Sequence, residues 1–469
     1  MTAIALAALA IVIQNQAPLQ SAPRESASKQ AVLWQGDTVE VRGRKLDYLQ
    51  IYDHRRERAG YLKASQVRLV SLEAAQSAEL LTVVRFLRDT PGAEALGISY
   101  VAAYLKAAPA RAITAEPLDA LGVMADRLAH RASTNQIKAN EASLAAHLEV
   151  VAQYGVVLKS FEVEGSMRVC YDGEMFRRVM VMPDADAGQR ARAALGLTRP
   201  ECSNPLMGPG ERYEQDLRWI TWLDHVPTEG LGEEDRAHLH VRRAGIWSDL
   251  AFAQSRRGES PQLAGARALQ ELALVEKADL NDRDLIEYDE AAVRVGATRW
   301  AAEPLSKPGG KVWVQLVPGS PGETCVLLQD AGHDVLHPLF RRCTYATVWA
   351  MSASSNPAGT ALTLAVQPLA SWRELWLFRD SPAGWVVDIL PPGTADTELG
   401  YLEFAGWVPG AQRILTAREV KVDGRVKRRF EIMSLASLTV EHQATTPEYL
   451  STFMRWQEPR WKRLTVALR

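Results

Sequence analysis

The chain has 469 residues, of which 47% are hydrophobic and 23% charged, and its formal net charge is −2. This length exceeds what one hydrophobic core organises, so we expect two to four domains. The composition excludes a disordered chain, a collagen and a coiled-coil rod. The near-neutral charge provides no field to attract polyanions, so nucleic acid is not an expected partner.

An apolar, uncharged run occupies residues 3–13, and polar Gln14, Asn15 and Gln16 follow it. The run has the length of the hydrophobic part of a secretory signal peptide, and it is shorter than the roughly 20 apolar residues that span a membrane. We predict a signal peptide at 1–22, cleaved near Ala17 or Ala22, and a periplasmic or secreted protein. The alternatives are a buried N-terminal helix or strand, and a start codon inside a longer signal.

Short strands broken by turns fill residues 33–70, a pattern typical of small β-barrels. The residues that define the pattern are Leu33, Gly36, Asp37, Val39 and Val41, followed by Tyr48 and Ile51, and then by Gly60 and Tyr61. This run is similar to the bacterial SH3-like domain, so we expect residues 23–70 to form a small SH3-like β-barrel. The resemblance implies a module that binds cell-wall or protein ligands. The candidate ligand-binding residues are Trp34, Tyr48, Tyr52 and Tyr61, and the alternative is that these aromatics form the barrel core.

The hydrophobic period becomes helical over residues 71–300. Apolar residues recur at three- and four-residue spacing, and helix breakers such as Pro91, Pro109 and Pro227 end the segments. We predict an all-α region of helical hairpins, loosely like tetratricopeptide packing but without a strict repeat. An alternating stretch at 156–168 predicts a division into two bundles.

A turn-rich junction at 305–311 precedes a β-rich, tryptophan-rich region at 311–469. Asp423-Gly424 lies between two apolar stretches and predicts a two-residue hairpin turn. The stretches 349–378 and 407–433 are similar to each other, each running from a tryptophan through a Pro/Gly turn into two strands. They resemble β-propeller blades, and a β-sandwich is the alternative. The fold class expected overall is multi-domain α+β.

Four cysteines form two pairs close in sequence, Cys170 with Cys202 and Cys325 with Cys343. Four cysteines permit three connectivities, and we predict this one because short separations favour encounters in an oxidising compartment. The alternative is four buried free thiols.

The search for chemical motifs nominates no catalytic residue, metal ligand or cofactor. Gly309-Gly310-Lys311 lacks the Ser or Thr of a phosphate loop, and no nucleophile elbow occurs. Residues 279–283 fail as a calcium loop because Arg283 replaces an oxygen ligand, and we expect them to cap a helix beginning near Asp282.

Histidines offer the remaining metal candidates. Cys325, His333, His337 and Cys343, with Asp334 behind them, match no established zinc spacing. We expect His238 and His240, which point to different sides of a predicted helix, to be ordinary exposed histidines.

Two tight basic clusters occur, at Arg55, Arg56 and Arg58 and at Lys427, Arg428 and Arg429. They favour solvated faces, with anionic wall polymers or lipid headgroups as the alternative, the latter implying peripheral membrane association.

The expected function is a non-catalytic periplasmic scaffold for protein or cell-wall ligands. The alternatives are an enzyme acting on envelope polymers, with a site not visible as a motif, and an accessory subunit of a secretion or polysaccharide-export assembly.

Overall fold

The structure is a computed structural model that describes residues 8–134, 138–163, 165–304, 310–393, 399–410 and 412–464. The start of the predicted signal peptide (1–7) and most of the predicted junction (305–309) lie outside these residues. The chain divides into two compact units. The N-terminal unit comprises Met1–Met207 and His225–Leu231, and the C-terminal unit comprises Gly208–Asp224 and Gly232–Arg469. The predicted α+β class is confirmed.

Seven strands form an antiparallel sheet in the N-terminal unit. They are β1 (Ala8–Val12), β2 (Ala17–Gln20), β3 (Lys29–Leu33), β4 (Thr38–Lys45), β5 (Tyr48–Asp53), β6 (Arg58–Lys63) and β7 (Val67–Val70). Their order is β3-β2-β6-β5-β4-β1-β7. The predicted closed barrel is therefore corrected to an open sheet in the described residues, because β3 pairs only with β2 and β7 only with β1.

The first two strands come from the segment predicted to be a signal peptide. β1 pairs with both β4 and β7, and β2 pairs with both β3 and β6. Ala10, Ile11, Val12 and Leu19 are at most 1% exposed. Residues 8–12 thus form the buried strand that the sequence left as an alternative, while cleavage of the chain stays a prediction.

Alternation along the strands builds the core of this sheet. Leu49 and Ile51 of β5 join its buried cluster, whereas Gln50 between them is exposed. The Gly-Asp pair of the SH3-like motif forms a turn, in which Asp37 Oδ2 accepts the backbone N–H of Trp34 at 2.9 Å. Gly36 has a φ of +96°, and a Cβ there would lie 2.6 Å from a backbone oxygen of the helical region, so only glycine fits.

The described helices of the N-terminal unit pack on each other in two clusters. The elements are α1 (Ser77–Arg88), α2 (Glu94–Ala107), α3 (Ala115–Thr134), α4 (Lys138–Ala152), the hairpin of β8 (Leu158–Val163) and β9 (Ser166–Tyr171), α5 (Glu174–Val181) and α6 (Ala187–Leu197). Helices α1 to α4 share one cluster. Phe176 of α5 and Ala193 of α6 pack with Leu118 of α3 in the other. The β8–β9 hairpin lies at the position where the sequence predicted a division into two helical bundles. The N-terminal unit continues beyond this hairpin to Met207.

In the C-terminal unit the helices are α7 (Pro209–Asp224), α8 (Glu233–Arg256), α9 (Gln262–Ala273) and α10 (Asp282–Thr298). Helices α8, α9 and α10 share a cluster that includes Ala244, Leu272 and Ala292. Asn281 caps α10, since its Oδ1 accepts the backbone N–H of Asp284 at 3.1 Å. The cap predicted for this loop is confirmed.

The rest of the C-terminal unit is mainly β-structure. Its elements are β10 (Val312–Pro318), β11 (Thr324–Asp330), β12 (Phe340–Thr344), β13 (Thr347–Ser355), β14 (Ala361–Leu369), β15 (Trp372–Ser381), β16 (Gly384–Leu390), β17 (Gly400–Val408), β18 (Arg413–Val422), β19 (Arg425–Ser434), β20 (Val440–Ala444), α11 (Ser451–Trp456) and α12 (Pro459–Leu464). Strands β10 to β12 form one sheet and β13 to β20 another, which contains two four-stranded meanders joined where β15 runs parallel to β17.

The two similar stretches occupy equivalent places in these meanders. Trp349 lies in β13 and Trp407 in β17, the first strand of each, and the Pro/Gly turns lead into the second strands. Asp423 and Gly424 have φ values of 55° and 75° and join β18 to β19, so the predicted hairpin is confirmed. Among the described strands neither sheet closes on itself, and propeller blade or sandwich stays a prediction.

Two disulfides match the predicted pairing. Cys170 of β9 pairs with Cys202, which follows α6 in the N-terminal unit. Cys325 and Cys343 face each other across β11 and β12 in the C-terminal unit. The predicted connectivity is confirmed, and the alternative of free thiols is excluded.

Candidate functional site

A polar pocket of about 370 Å³ lies in the N-terminal unit. Asn15 in the turn between β1 and β2 lines it, together with Gly92 before α2 and Arg131 near the end of α3. Ser143 and His147 lie one turn apart on α4 and also line the pocket. The remaining described lining residues are Thr134 and Leu144. Four separate segments of the chain therefore supply the pocket.

A fully buried carboxylate holds two arginines beside the pocket. Glu94 accepts a hydrogen bond from Arg127 Nε at 2.7 Å and another from Arg131. Burial by itself raises the pKa of Glu94. The backbone N–H groups of Gly92 and of Glu94 donate to this carboxylate, and the two arginines lie beside it. Together these groups outweigh burial and lower the pKa of Glu94. Glu94 is therefore ionised, and these three groups sum to one positive charge next to the pocket.

His147 is the second polar group of the pocket, and it is 3% exposed. Burial, and then the charge of Arg131, lower the pKa of His147, so the imidazole is neutral near pH 7. Nε2 lies 2.7 Å from Asn15 Oδ1, which can only accept, so Nε2 carries the proton. Nδ1 is then an acceptor, and it is buried with no hydrogen-bond partner among the described residues. An unpartnered buried acceptor is costly to the folded state.

The arrangement suits recognition of an anionic, hydrogen-bonding group. Arg131 offers a guanidinium, Ser143 a hydroxyl and Asn15 an amide around the same space. A guanidinium binds carboxylates and phosphates through paired N–H donors. The pocket volume corresponds to a small molecule or a short chain end.

The structure separates the four candidate aromatics. Trp34 packs against the helical cluster of the N-terminal unit and meets the ring of His147 edge-on, at 6.5 Å between centroids. Tyr48 and Tyr52 alternate with the buried Leu49 and Ile51 of β5 and so point to the other face of the sheet. Tyr61 pairs with Gln50 and shares that face.

Only Trp34 therefore lies beside the polar pocket. Tyr48 is 3% exposed, whereas Tyr52 lies beneath the guanidinium of Arg42, which is 4.0 Å from its ring centre. A ligand role for the three tyrosines stays a prediction.

The basic clusters are largely paired inside the protein. Arg56 donates to Asp53 at 2.8 Å and to Asp37 at 3.3 Å, and Arg58 donates to a backbone oxygen of β3. Arg428 donates to Glu419 at 2.6 Å. Arg58, Lys427 and Arg429 are exposed, as expected for solvated faces, whereas Arg56 and Arg428 are half-buried in these ion pairs.

The cysteine-containing metal candidate is not assembled. Cys325 and Cys343 are joined by a disulfide, so their sulfurs are not thiolate ligands. His333 Nδ1 contacts Asp330, and His337 lies beside Asp334 with an 85% exposed side chain.

The His-x-His pair differs from expectation. His240 is buried and contacts Glu271 of α9 at 2.6 Å, while His238 contacts Asp284 of α10 at 2.8 Å. The prediction that both are exposed is wrong, since His240 is buried and His238 half-buried, because the two sides of α8 both face other helices. Glu234, His238 and Asp284 bring one ligand atom each within 4.8 Å of one another.

Sequence reasoning missed Asn15, Arg131 and His147. Asn15 and His147 are 132 residues apart, and no local motif links them. One available signal was a histidine on the predicted apolar face of α4, beside Leu144 and Val151.

Among the described helices, none has the length and apolar character needed to cross a membrane.

Comparison with protein-family models, with curated proteins and with solved structures finds no match to this chain. The SH3-like and propeller-like resemblances therefore stay predictions.

Proposed function

We propose that this chain is a non-catalytic binding protein of an extracytoplasmic compartment, and that the polar pocket of its N-terminal unit binds a carboxylate at the end of a cell-wall peptide or a protein segment. The observation that carries the proposal is Arg131 in the pocket wall, with the net positive charge of Arg131, Arg127 and Glu94 beside it.

The charge around Glu94 supports a carboxylate ligand. Glu94 balances only one of its two arginines, so a second carboxylate at Arg131 would complete the neutralisation. Buried or half-buried guanidinium groups are stabilised by such paired acceptors. Asn15 and Ser143 line the same pocket and add polar groups that can bind the peptide unit beside the carboxylate.

The two disulfides support the compartment. Disulfides form and persist in oxidising surroundings and are rare where thioredoxin and glutathione keep thiols reduced. Each unit carries one. The resemblance of residues 23–70 to SH3-like domains, whose ligands are wall or protein segments, supports a ligand of this class.

The test changes charge at one position of the pocket wall. Ser143 is half-buried on α4, so Ser143→Glu adds a negative charge there and Ser143→Lys, the matched control, a positive one. The probes are peptidoglycan sacculi in a sedimentation assay and a pentapeptide with a free C-terminal carboxylate, compared with its C-terminal amide by calorimetry.

We expect the parent to bind the free acid at least tenfold more tightly than the amide, because a charge-assisted hydrogen bond contributes about 1.5–3 kcal/mol. Ser143→Glu should abolish binding and Ser143→Lys should retain it. Equal binding by both variants would refute the pocket as the site. Release of soluble fragments from sacculi would instead favour an enzyme acting on envelope polymers.

A further inference from the structure

We propose that Glu234, His238 and Asp284 form a Zn²⁺ site in the C-terminal unit. The site lies outside the unit that holds the polar pocket, so it does not depend on the proposed function.

Helix geometry places the three donors together. Glu234 and His238 are four residues apart on α8 and therefore share one face, one turn apart. Asp284 stands in the first turn of α10, which packs against α8. The backbone N–H of Asp284 donates to Asn281, and Asn281 Nδ2 donates to Asp284 Oδ2 at 2.6 Å. Asn281 thus orients the carboxylate, as outer hydrogen-bond partners do for metal ligands.

The distances fit a small ion after a small adjustment. The three donor atoms lie within 4.8 Å of one another, and His238 Nε2 is 2.8 Å from Asp284 Oδ2. Ligand atoms about 2.0–2.2 Å from zinc in a tetrahedron are roughly 3.3–3.6 Å apart. The exposed Glu234 side chain has the freedom to close the remaining gap. The ion would replace the proton that now joins His238 to Asp284.

The charge around Glu234, His238 and Asp284 favours a bound cation. Two carboxylates meet one imidazole, and the first turns of α8 and α10 carry three further acids, Glu233, Asp235 and Asp282, beside two bases, Arg236 and Arg283. The amino ends of α8 and α10 each contribute only about half a positive charge. A divalent ion bound to two carboxylates and a neutral imidazole is balanced, and this mixed nitrogen and oxygen set suits zinc.

The three ligands differ in burial, and the exposed side of the site is open to solvent. Asp284 is buried, His238 is half-buried and Glu234 is exposed. Zinc sites with three protein ligands keep a fourth position for water, and the Glu234 side is open to supply it. His240 lies two residues beyond His238 on α8 and faces Glu271 of α9, so it is not one of the three donors.

The experiment uses the full chain with both disulfides intact, stripped with a chelator and titrated with ZnCl₂ by calorimetry. Co²⁺ replaces Zn²⁺ in a parallel series because its visible absorption reports the number and type of ligands. The variants are Glu234→Gln, His238→Gln and Asp284→Asn. The matched controls are Glu233→Gln, a neighbouring acid, and His337→Gln, an exposed histidine of the same unit.

We expect one Zn²⁺ per chain, affinity lowered more than about tenfold in each of the three variants, and unchanged affinity in both controls. Glu234→Gln decides the outcome, because Glu234 is exposed and its amide cannot disturb the core. Zinc binding that is equal in Glu234→Gln and Glu233→Gln would overturn the proposal, as would the absence of saturable binding by the parent. Circular dichroism checks that the Asp284→Asn variant is folded.

Discussion

At the scale of single residues, burial changes the pKa of two carboxyl groups in the C-terminal unit. Burial, and then the charge of Asp249, raise the pKa of Asp216 to about 7. Asp216 lies on α7 and Asp249 on α8, two helices that pack together in the C-terminal unit. Burial likewise raises the pKa of Glu419 to about 7, against the opposing charge of Arg428. Near pH 7 both carboxyls are therefore partly protonated.

Asp216 makes the stability of the C-terminal unit depend on pH. The folded chain binds a proton at Asp216 that the unfolded chain, with an ordinary pKa near 4, does not bind between about pH 4 and 7. Stability thus falls as the pH rises through this range and stays lower above it. We expect Asp216→Asn to remove the contribution of Asp216, up to about 3 kcal/mol between pH 5 and pH 8, while that of Glu419 remains. Urea unfolding at both pH values measures it.

The control for this prediction is Glu233→Gln, at an exposed position of α8 in the same unit. It should leave the difference between pH 5 and pH 8 as in the parent. An Asp216→Asn variant that keeps the whole pH difference would show that Asp216 ionises normally.

At the scale of elements, local signals predicted local structure. The Asp-Gly hairpin, the cap of α10 and both cysteine pairs depend on residues that are near in sequence. The apolar run at 8–12 could not be assigned from sequence, because a short buried strand and a signal segment have the same composition. The pocket was not predictable, since its residues converge only after α3, α4 and the β1–β2 turn pack together.

The disulfide between Cys170 and Cys202 should stabilise the N-terminal unit. It closes a loop across 32 residues, and chain entropy gives a contribution of about 3–4 kcal/mol. We expect the double variant Cys170→Ser/Cys202→Ser to lower the unfolding free energy of this unit by that amount. Hydrogen exchange of amides in α3 and α5 measures it.

The double variant Cys325→Ser/Cys343→Ser is the matched comparison, because that disulfide lies in the other unit. It should leave exchange in α3 and α5 unchanged. Equal loss of protection in both variants would contradict separate roles for the two disulfides.

At the scale of the whole molecule, the sequence predicted the succession of β, α and β regions but placed the boundaries differently. Composition changes near residues 70 and 300, whereas the compact units divide near residue 207. The reason is that helices pack on sheets in both units: Tyr154 of the α4–β8 connection donates to Gly36 at 2.6 Å, and buried Glu403 of β17 accepts from Arg299 at 2.7 Å. Periodicity identifies elements, but not which neighbours share a core.

Deletion of residues 1–22 should unfold the N-terminal unit. The deletion removes β1 from between β4 and β7, and also removes Asn15 from the pocket. We expect loss of protected amides in β4, β5 and β7 and loss of ligand binding. Deletion of 465–469 is the control of the opposite terminus. A truncated chain with native exchange in β4 would show that the first two strands are dispensable, as a cleaved signal peptide requires.

The division of the chain also has a consequence for how the protein can be cut. Each unit is made of two stretches, because Gly208–Asp224 belongs to the C-terminal unit while His225–Leu231 returns to the N-terminal one. The backbone therefore passes from one unit to the other three times. No single cleavage point yields two complete pieces, so a protease or an expression boundary placed between residues 207 and 232 always leaves at least one unit missing a segment of its own.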